Sequence, residues 1–399
     1  MAEALAAAGE WANLAIRWLH LIAGIAWIGS SFYFMWLDAR LAPVPGGREG
    51  VAGELWAVHS GGFYQKQKFL VAPPEMPEDL HWFKWEAYTT WISGALLLSL
   101  IYYAGANLFL IDPDKVPFTQ AGATATGLGF IVGGWLVYDG LCRSPLAKSP
   151  RLFAAIWFLT LTATAYALTR IFNDRGAVIH VGAMIGTVMA ANVFFIIIPN
   201  QKKAVAAMLA GERPDPALGK ASKLRSTHNN YMTLPVLVIM VSNHYPMVFG
   251  HWLNWLLLAG LGITGAVIRH YFNLRNSGRN EPQVLLYGAV YFLGVVTIAQ
   301  IPKPAPEVAI TGPVSFTQVQ GLITTHCVMC HTEHPTHVGI KVPPNGVTFD
   351  TPAKIALYAP RIRQRAVAST SMPQGNETHM TPTERALLGA WIDQGAKIP

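Results

Sequence analysis

Residues 11–37 read WANLAIRWLHLIAGIAWIGSSFYFMWL and form the first long apolar run of the chain. The run is longer than the roughly 20 apolar residues that an α-helix needs to cross a bilayer. Glu3 and Glu10 precede it in place of the basic segment of a cleaved secretory signal, and no small-residue cleavage site follows. We therefore predict a retained transmembrane helix.

Seven further apolar runs have the length of a membrane span. They cover residues 88–110, 122–141, 152–168, 177–199, 233–249, 252–268 and 284–301. The sixth span of the eight contains Pro235, Asn243, His244 and Pro246, residues that a segment lining a pocket tolerates better than one facing lipid. We expect an all-α fold in which residues 1–302 form an eight-helix transmembrane bundle.

Composition and charge agree with a membrane protein. Hydrophobic residues make up 52% of the 399-residue chain and charged residues only 13%, whereas a soluble domain carries about 25% charged residues. The net charge of +7 comes from basic residues scattered between the apolar runs, without the basic stripe of a nucleic-acid-binding protein. The expected partner is therefore the lipid bilayer, and no nucleic acid is expected.

The distribution of Lys and Arg predicts the orientation in the membrane. Seventeen of these residues lie in the first, third, fifth and seventh connections, whereas the other connections and the segment immediately after the eighth run hold four: Lys115, Arg170, Arg175 and Lys303. Because positive charge accumulates in cytoplasmic loops, both termini are predicted to lie outside the cytoplasm.

Residues 327–331 read CVMCH, the attachment pattern of c-type haem. One turn places Cys327 and Cys330 at the vinyl groups of a haem and His331 at its iron as an axial ligand. The alternatives are a reduced thiol pair or half of a zinc site, which would need two further ligands, and Cys142 is the only other cysteine. Covalent haem is attached on the outer face of energy-transducing membranes, which agrees with the charge distribution.

The region after the last apolar run is predicted to carry this haem. Residues 303–313 form a proline-rich linker, and residues 314–399 form a small helical domain like a class I cytochrome c. Met372, before the predicted last helix, is the expected second axial ligand of the iron. Met380 is the rival, although its place immediately before that helix suits an apolar core residue.

Histidines inside the bundle suggest a second redox centre. His20, His180, His244 and His251 belong to the outer half of the predicted membrane region. A single intramembrane histidine is more often a hydrogen-bonded packing residue, but four at one level below a haem domain favour ligation. We hypothesise that two of them, His20 above all, bind a non-covalent b-type haem or another redox centre.

The connection at 38–86 is long and aromatic for a loop inside a helical bundle. Such a loop is usually functional or a folded cap. For Trp82 and Trp85 an interfacial aromatic belt leading into the second helix is the alternative.

Several stretches resemble the membrane-bound bacterial urate oxidases, also called urate hydroxylases. They are WLHLIAGIAWIGS at 18–30, HWFKWEAY at 81–88, GTVMAAN at 186–192, THNNYMTLP at 227–235, SNHYP at 242–246 and RHYFN at 269–273. The first helix alone is also similar to that of membrane protoporphyrinogen oxidases, where a histidine seven residues before a tryptophan accompanies b-type haem. His20 and Trp27 match that spacing.

The resemblance implies an eight-helix bundle fused to a cytochrome c domain, in a bacterial inner membrane with both termini and the haem domain periplasmic. It implies oxidation of urate to 5-hydroxyisourate, with electrons leaving through haem c to a soluble cytochrome c or a terminal oxidase and without hydrogen peroxide as the main product. Because urate donates two electrons and the haem accepts one at a time, we expect an intermediate centre within the bundle. The alternative is a urate site high in the bundle.

A urate site needs hydrogen-bond donors, a stacking surface and a general base. The residues of these types near the cytoplasmic ends of helices two, six and seven are His81, Lys84, His228, Asn229, Asn230, Arg269, His270 and Asn273. The alternative is that they only cap helices or meet lipid headgroups. Two other classes of protein also stay open: a non-enzymatic membrane-anchored cytochrome that relays electrons from quinol or a partner dehydrogenase, and a transporter with an appended cytochrome.

Overall fold

The computed structural model describes residues 2–48, 50–70, 73, 75–303 and 310–399. The chain is 67% helix and 5% strand. The helices before residue 303 are α1 (Ala2–Arg40), α2 (Trp85–Leu97), α3 (Ala106–Phe109), α4 (Gln120–Arg143), α5 (Pro150–Ile171), α6 (Asp174–Ala191), α7 (Ile198–Leu209), α8 (Pro216–Ser242), α9 (Pro246–Phe249), α10 (Asn254–Asn276) and α11 (Pro282–Ile298). The π-helical segments Leu98–Tyr103 and Asn192–Ile197 continue α2 and α6.

All eight predicted apolar runs fall largely within these helices. In the described part of the chain, five helical segments are long and apolar enough to cross a membrane: residues 8–40 of α1, α4, α5, α6 together with α7, and α10. The second run is interrupted before α3, α8 begins with a polar half, and α11 is shorter. The count of eight spans therefore stays a prediction.

The predicted fifth connection is wrong in extent, because most of residues 200–232 is helical. Helix α7 runs on to Leu209, and α8 begins at Pro216 with the Asp215 side chain accepting a hydrogen bond from the Ala217 amide. An Asp cap followed by Pro at the first helical position is a strong start signal. Residues 228–230 consequently lie within a helix rather than at its end.

The all-α prediction needs one correction, a β-hairpin in the long first connection. Strands β1 (Val51–His59) and β2 (Gly62–Phe69) pair antiparallel through the turn Ser60-Gly61, where both residues have positive φ, as a tight hairpin turn requires. This connection is thus a folded cap, apart from residues 71, 72 and 74, which lie outside the described residues. Trp82 packs against Ala87 in a small apolar cluster, whereas Trp85 is exposed.

The main core lies between α2, α4, α5, α6, α8 and α10. Its largest fully buried members include Leu110, Tyr138, Phe172 and Met184. By contrast α1 exposes many apolar side chains, among them Trp18, which is 67% exposed. Contiguous exposed apolar surface of this kind suits contact with lipid.

Residues 310–399 contain helices α12 (Phe316–His326), α13 (Pro352–Leu357), α14 (Ala359–Ile362) and α15 (Pro382–Asp393). Reciprocal capping boxes begin α12 at Ser315 and α15 at Thr381. These helices surround a separate core that includes Ile323, Leu388 and Trp391. The division at residues 302 and 314 stays a prediction, and residues 304–309 of the predicted linker lie outside the described part.

Candidate functional site

Three polar side chains of α8 and α10 meet in the interior. Arg269 Nε donates to Asn230 Oδ1 over 2.9 Å, and Asn273 Nδ2 donates to the same oxygen over 3.0 Å. The guanidinium lies 3.8 Å from the centre of the Phe32 ring of α1. We call Phe32, Asn230, Arg269 and Asn273 the Arg269 cluster. Asn230 is fully buried and Arg269 is 4% exposed, so the sequence expectation of mere helix caps is wrong for both.

Each polar residue of this cluster keeps one buried atom without a hydrogen-bond partner among the described residues. These atoms are Asn230 Nδ2, Arg269 Nη2 and Asn273 Oδ1. Buried polar groups are nearly always paired, so three unpaired groups at one place are unusual.

A second buried network lies on the other side of α8. Its members are Tyr138 and Asp139 of α4, Asn192 after α6, and Arg225, His228 and Asn229 of α8. Asn192 donates to the Tyr138 hydroxyl over 3.1 Å, and that hydroxyl lies 2.9 Å from His228 Nδ1. The hydroxyl therefore bridges the Asn192 amide and the His228 ring. We call this set the His228 network.

The remaining members of the His228 network fix its position. Asn192 Nδ2 also donates to Asn229 Oδ1 over 2.8 Å, and Arg225 joins Asn192 and the Asp139 carboxylate, the latter over 2.6 Å. The His228 ring stacks on Phe153. A buried Arg–Asp pair held by further hydrogen bonds fixes side chains rather than adding much net stability.

The predicted urate residues therefore separate into groups. Asn230, Arg269 and Asn273 come together, and so do His228 and Asn229. His270 Nδ1 pairs with the Tyr231 hydroxyl at 2.7 Å, away from both groups. The other two belong to neither hydrogen-bonded group: exposed His81 packs on Phe83, and Lys84 lies over Trp85.

Sequence reasoning missed five members of the two groups: Phe32, Tyr138, Asp139, Asn192 and Arg225. Asp139 was a usable signal, because it is a carboxylate inside an apolar run. Arg225 was only counted among the basic residues that predict the orientation in the membrane, and Asn192 was only the last residue of the GTVMAAN stretch that resembles the family.

The outer histidines have different surroundings. His20 Nδ1 faces the Thr90 carbonyl at 3.0 Å, and His180 Nδ1 faces the Gly176 carbonyl at 2.8 Å. A proton on Nδ1 leaves Nε2 as the lone-pair nitrogen in both rings, the tautomer that metal-binding histidines use. His180 Nε2 lies 3.2 Å from the Tyr103 hydroxyl, whereas His244 is exposed.

Residues 327–331 form a single turn, since the Cys330 and His331 amides both donate to the Cys327 carbonyl. His331 Nδ1 lies 3.0 Å from the Val347 carbonyl, which leaves Nε2 free for iron. Burial raises the pKa of the Cys327 thiol to about 12. No cluster of three or more His, Cys, Asp or Glu suited to a metal ion occurs in the described residues, and haem attachment at Cys327 and Cys330 stays a prediction.

The two methionines differ in burial as expected. Met380 is 3% exposed within the apolar core, and Met372 lies at its margin, where it also lines a cleft of about 70 Å³. That cleft separates the C-terminal helices from α3 and the start of α6. Met372 thus stays the preferred axial ligand.

Contacts on both sides of this cleft join the C-terminal part to the helices before residue 303. Thr370 Oγ1 donates to the Asp174 carboxylate over 3.0 Å, and Asn376 Nδ2 donates to Asp114. Gly375 approaches the carbonyls of α3 so closely that an added Cβ would lie 3.0 Å from the Asn107 oxygen. Residues 370–376, which include Met372, therefore dock the C-terminal part on these helices.

Fold and site together define a mostly helical protein with several membrane-length apolar helices and buried polar centres between them. Residues 6–300 match the family model "Urate oxidase N-terminal", which covers all members of the Arg269 cluster and the His228 network. The chain belongs to this urate oxidase family. No curated protein and no solved structure matches the chain.

Proposed function

We propose that the protein is a membrane-bound urate oxidase whose electrons leave through a c-type haem in residues 314–399. Urate, counted as the neutral acid, loses two electrons and two protons and then adds one whole water, whose hydroxyl group goes to C5 and whose remaining hydrogen goes to a ring nitrogen, to give 5-hydroxyisourate. The observation that carries this proposal is the family match over residues 6–300, the region that holds both buried polar groups.

The Arg269 cluster is the proposed urate site. Its guanidinium has no carboxylate within 4.0 Å in the described residues, so an anionic substrate would supply the missing counter-charge. His228 lies two residues before Asn230 on α8 but on the other side of that helix, and its Nδ1 lies 2.9 Å from the Tyr138 hydroxyl. From that side the Tyr138–His228 pair is the proposed end point for a proton that leaves urate, rather than a group that contacts urate.

The C-terminal residues are the proposed electron outlet. Cys327 and Cys330 would hold the haem covalently, with His331 and Met372 as axial ligands. A bound haem supplies a one-electron acceptor at the periplasmic side. From it electrons pass to a soluble cytochrome c or a terminal oxidase of the respiratory chain.

The position of Arg269 along α10 favours a relay. From Arg269 to the start of α10 at Asn254 the helix rises by about 20 Å at 1.5 Å per residue, too far for one efficient tunnelling step. His20 is the proposed ligand of an intermediate b-type haem or other redox centre, because its Nε2 makes no hydrogen bond with the described residues. His180 would first have to release Tyr103, and exposed His244 is the third candidate.

The decisive experiment uses the full-length protein in detergent without oxygen. Urate should reduce the haem, seen as the rise of its alpha band, and a short-chain quinol should not. Reduction by quinol alone would identify a non-enzymatic electron carrier instead. The relay is tested by His20→Ala, which should retain covalent haem but lose its reduction by urate; unchanged reduction would exclude His20.

A further inference from the structure

The unpaired atoms of the Arg269 cluster define a hydrogen-bonding pattern. A guanidinium can only donate, so the Asn230 atom facing Arg269 Nε is the amide oxygen. Asn273 also approaches this oxygen and must donate its Nδ2 to it. The orientations of both amides are thereby fixed, and the atoms left over are two donors, Asn230 Nδ2 and Arg269 Nη2, and one acceptor, Asn273 Oδ1.

A ligand that satisfies these atoms must offer two acceptors and one donor. A ring imide, with one N–H between two carbonyls, has this arrangement. In urate the imide edge consists of C2=O, N1–H and C6=O, whereas the five-membered ring carries one carbonyl and two nitrogens. The buried, unpaired charge of Arg269 further favours an anion.

We propose that the Arg269 cluster binds the imide edge of urate, and that Asn273 determines specificity by accepting the N1 hydrogen. This inference rests on the proposed function. The two carbonyls accept from Arg269 Nη2 and Asn230 Nδ2. Because these contacts lie in the plane of the purine, both ring faces stay open at C5, the carbon that gains the hydroxyl group.

Two methylated substrates test the assignment without any mutation. 1-Methylurate replaces the N1 hydrogen and leaves the Asn273 oxygen unpaired, whereas 9-methylurate carries its methyl group on the opposite ring. The full-length protein in detergent, with ferricyanide as the electron acceptor, should show kcat/KM for 1-methylurate at least about tenfold below that for urate. A preference for 1-methylurate over 9-methylurate would overturn the proposal.

The variant Asn273→Ala then assigns the effect to one residue. Removing the acceptor should lower kcat/KM for urate. The ratio of kcat/KM for urate to kcat/KM for 1-methylurate should fall by about tenfold, while the corresponding ratio for urate and 9-methylurate stays unchanged. Asn276→Ala, one turn further along α10 and without a side-chain hydrogen bond to the described residues, is the matched control and should retain the wild-type ratios. An unchanged ratio in a folded Asn273→Ala protein would refute the role of Asn273.

Failure of the two proposals can be told apart. If the wild-type protein oxidises urate but does not discriminate against 1-methylurate, only the imide assignment fails. If it oxidises no urate, equilibrium dialysis with urate and 1-methylurate measures the same binding ratio without turnover. Tighter binding of urate would then support the imide site, and equal binding would overturn it.

Discussion

At the scale of single residues, Arg269 and its neighbours show why polar groups in this interior are held in place. Arg269 donates one hydrogen bond to Asn230, and its guanidinium packs on the face of the Phe32 ring. A cation over an aromatic ring recovers part of the cost of burial, by roughly 0.5–2 kcal/mol, but less than a full counter-ion would. The remaining imbalance makes this site responsive to an anionic ligand.

Replacing Arg269 by Leu should therefore reduce kcat/KM for urate by about 100-fold, the loss of a charge-assisted hydrogen bond worth about 1.5–3 kcal/mol. The haem spectrum should not change, because the residue belongs to α10 and not to the C-terminal helices. Arg275→Gln on the exposed side of the same helix is the control, with near wild-type kinetics expected. Equal losses in both variants would point to general surface charge rather than to this cluster.

Single substitutions can distinguish which of the two methionines binds the haem iron. Met372→Ala should remove a sulfur ligand, lower the reduction potential of the haem and change its spectrum. Met380→Ala should leave the spectrum intact but cost about 2–5 kcal/mol of stability, since it empties a site in the core. Potentiometric titration and thermal unfolding distinguish them, and the reverse pattern would make Met380 the ligand.

At the scale of elements, local signals predicted more than distant ones. The turn at 327–331 depends on neighbouring residues, so sequence alone was sufficient for it. Tyr138 was not foreseen, because the rotation of α4 decides whether a polar residue in an apolar helix faces lipid or His228, and only packing sets that rotation. The hairpin was missed because GFYQKQKF at 62–69 lacks the alternation of apolar and polar residues that marks a strand.

Gly375 provides a test of the docking between the Met372 segment and α3. Its φ is +62°, and an added Cβ would meet three backbone carbonyls of residues 107–111. Gly375→Val should separate the Met372 segment from α3 and slow haem reduction by urate at least about tenfold, while reduction by ascorbate keeps its rate. Gly346→Val is the matched control, since Gly346 has φ of +66° with open space around it. It carries the same backbone strain without the clash, so an equal slowing in both variants would mean that strain alone is responsible.

At the scale of the whole molecule, contacts divide the connections into two sets. Asp114 and Asp174, from the second and fourth connections, contact the C-terminal part. The first, fifth and seventh connections contact one another instead. Lys223 contacts Asp38, and Arg40 donates to the Arg275 carbonyl. The Lys and Arg count divides the connections in the same way. Helix packing and loop charge are physically independent, so the two observations support each other.

This division predicts which side of the membrane each set faces. A cysteine introduced as Lys341→Cys, near the proposed haem, should react with a membrane-impermeant thiol reagent in intact cells. Arg279→Cys, between α10 and α11, should react only after the inner membrane is permeabilised. Both variants carry Cys142→Ser so that only the new thiol and the haem-linked cysteines remain, and the parent without a new cysteine measures background labelling. Among the predicted spans, only the one at α11 lies between the two positions, so equal labelling in intact cells would mean that α11 does not cross the membrane and would contradict the predicted orientation.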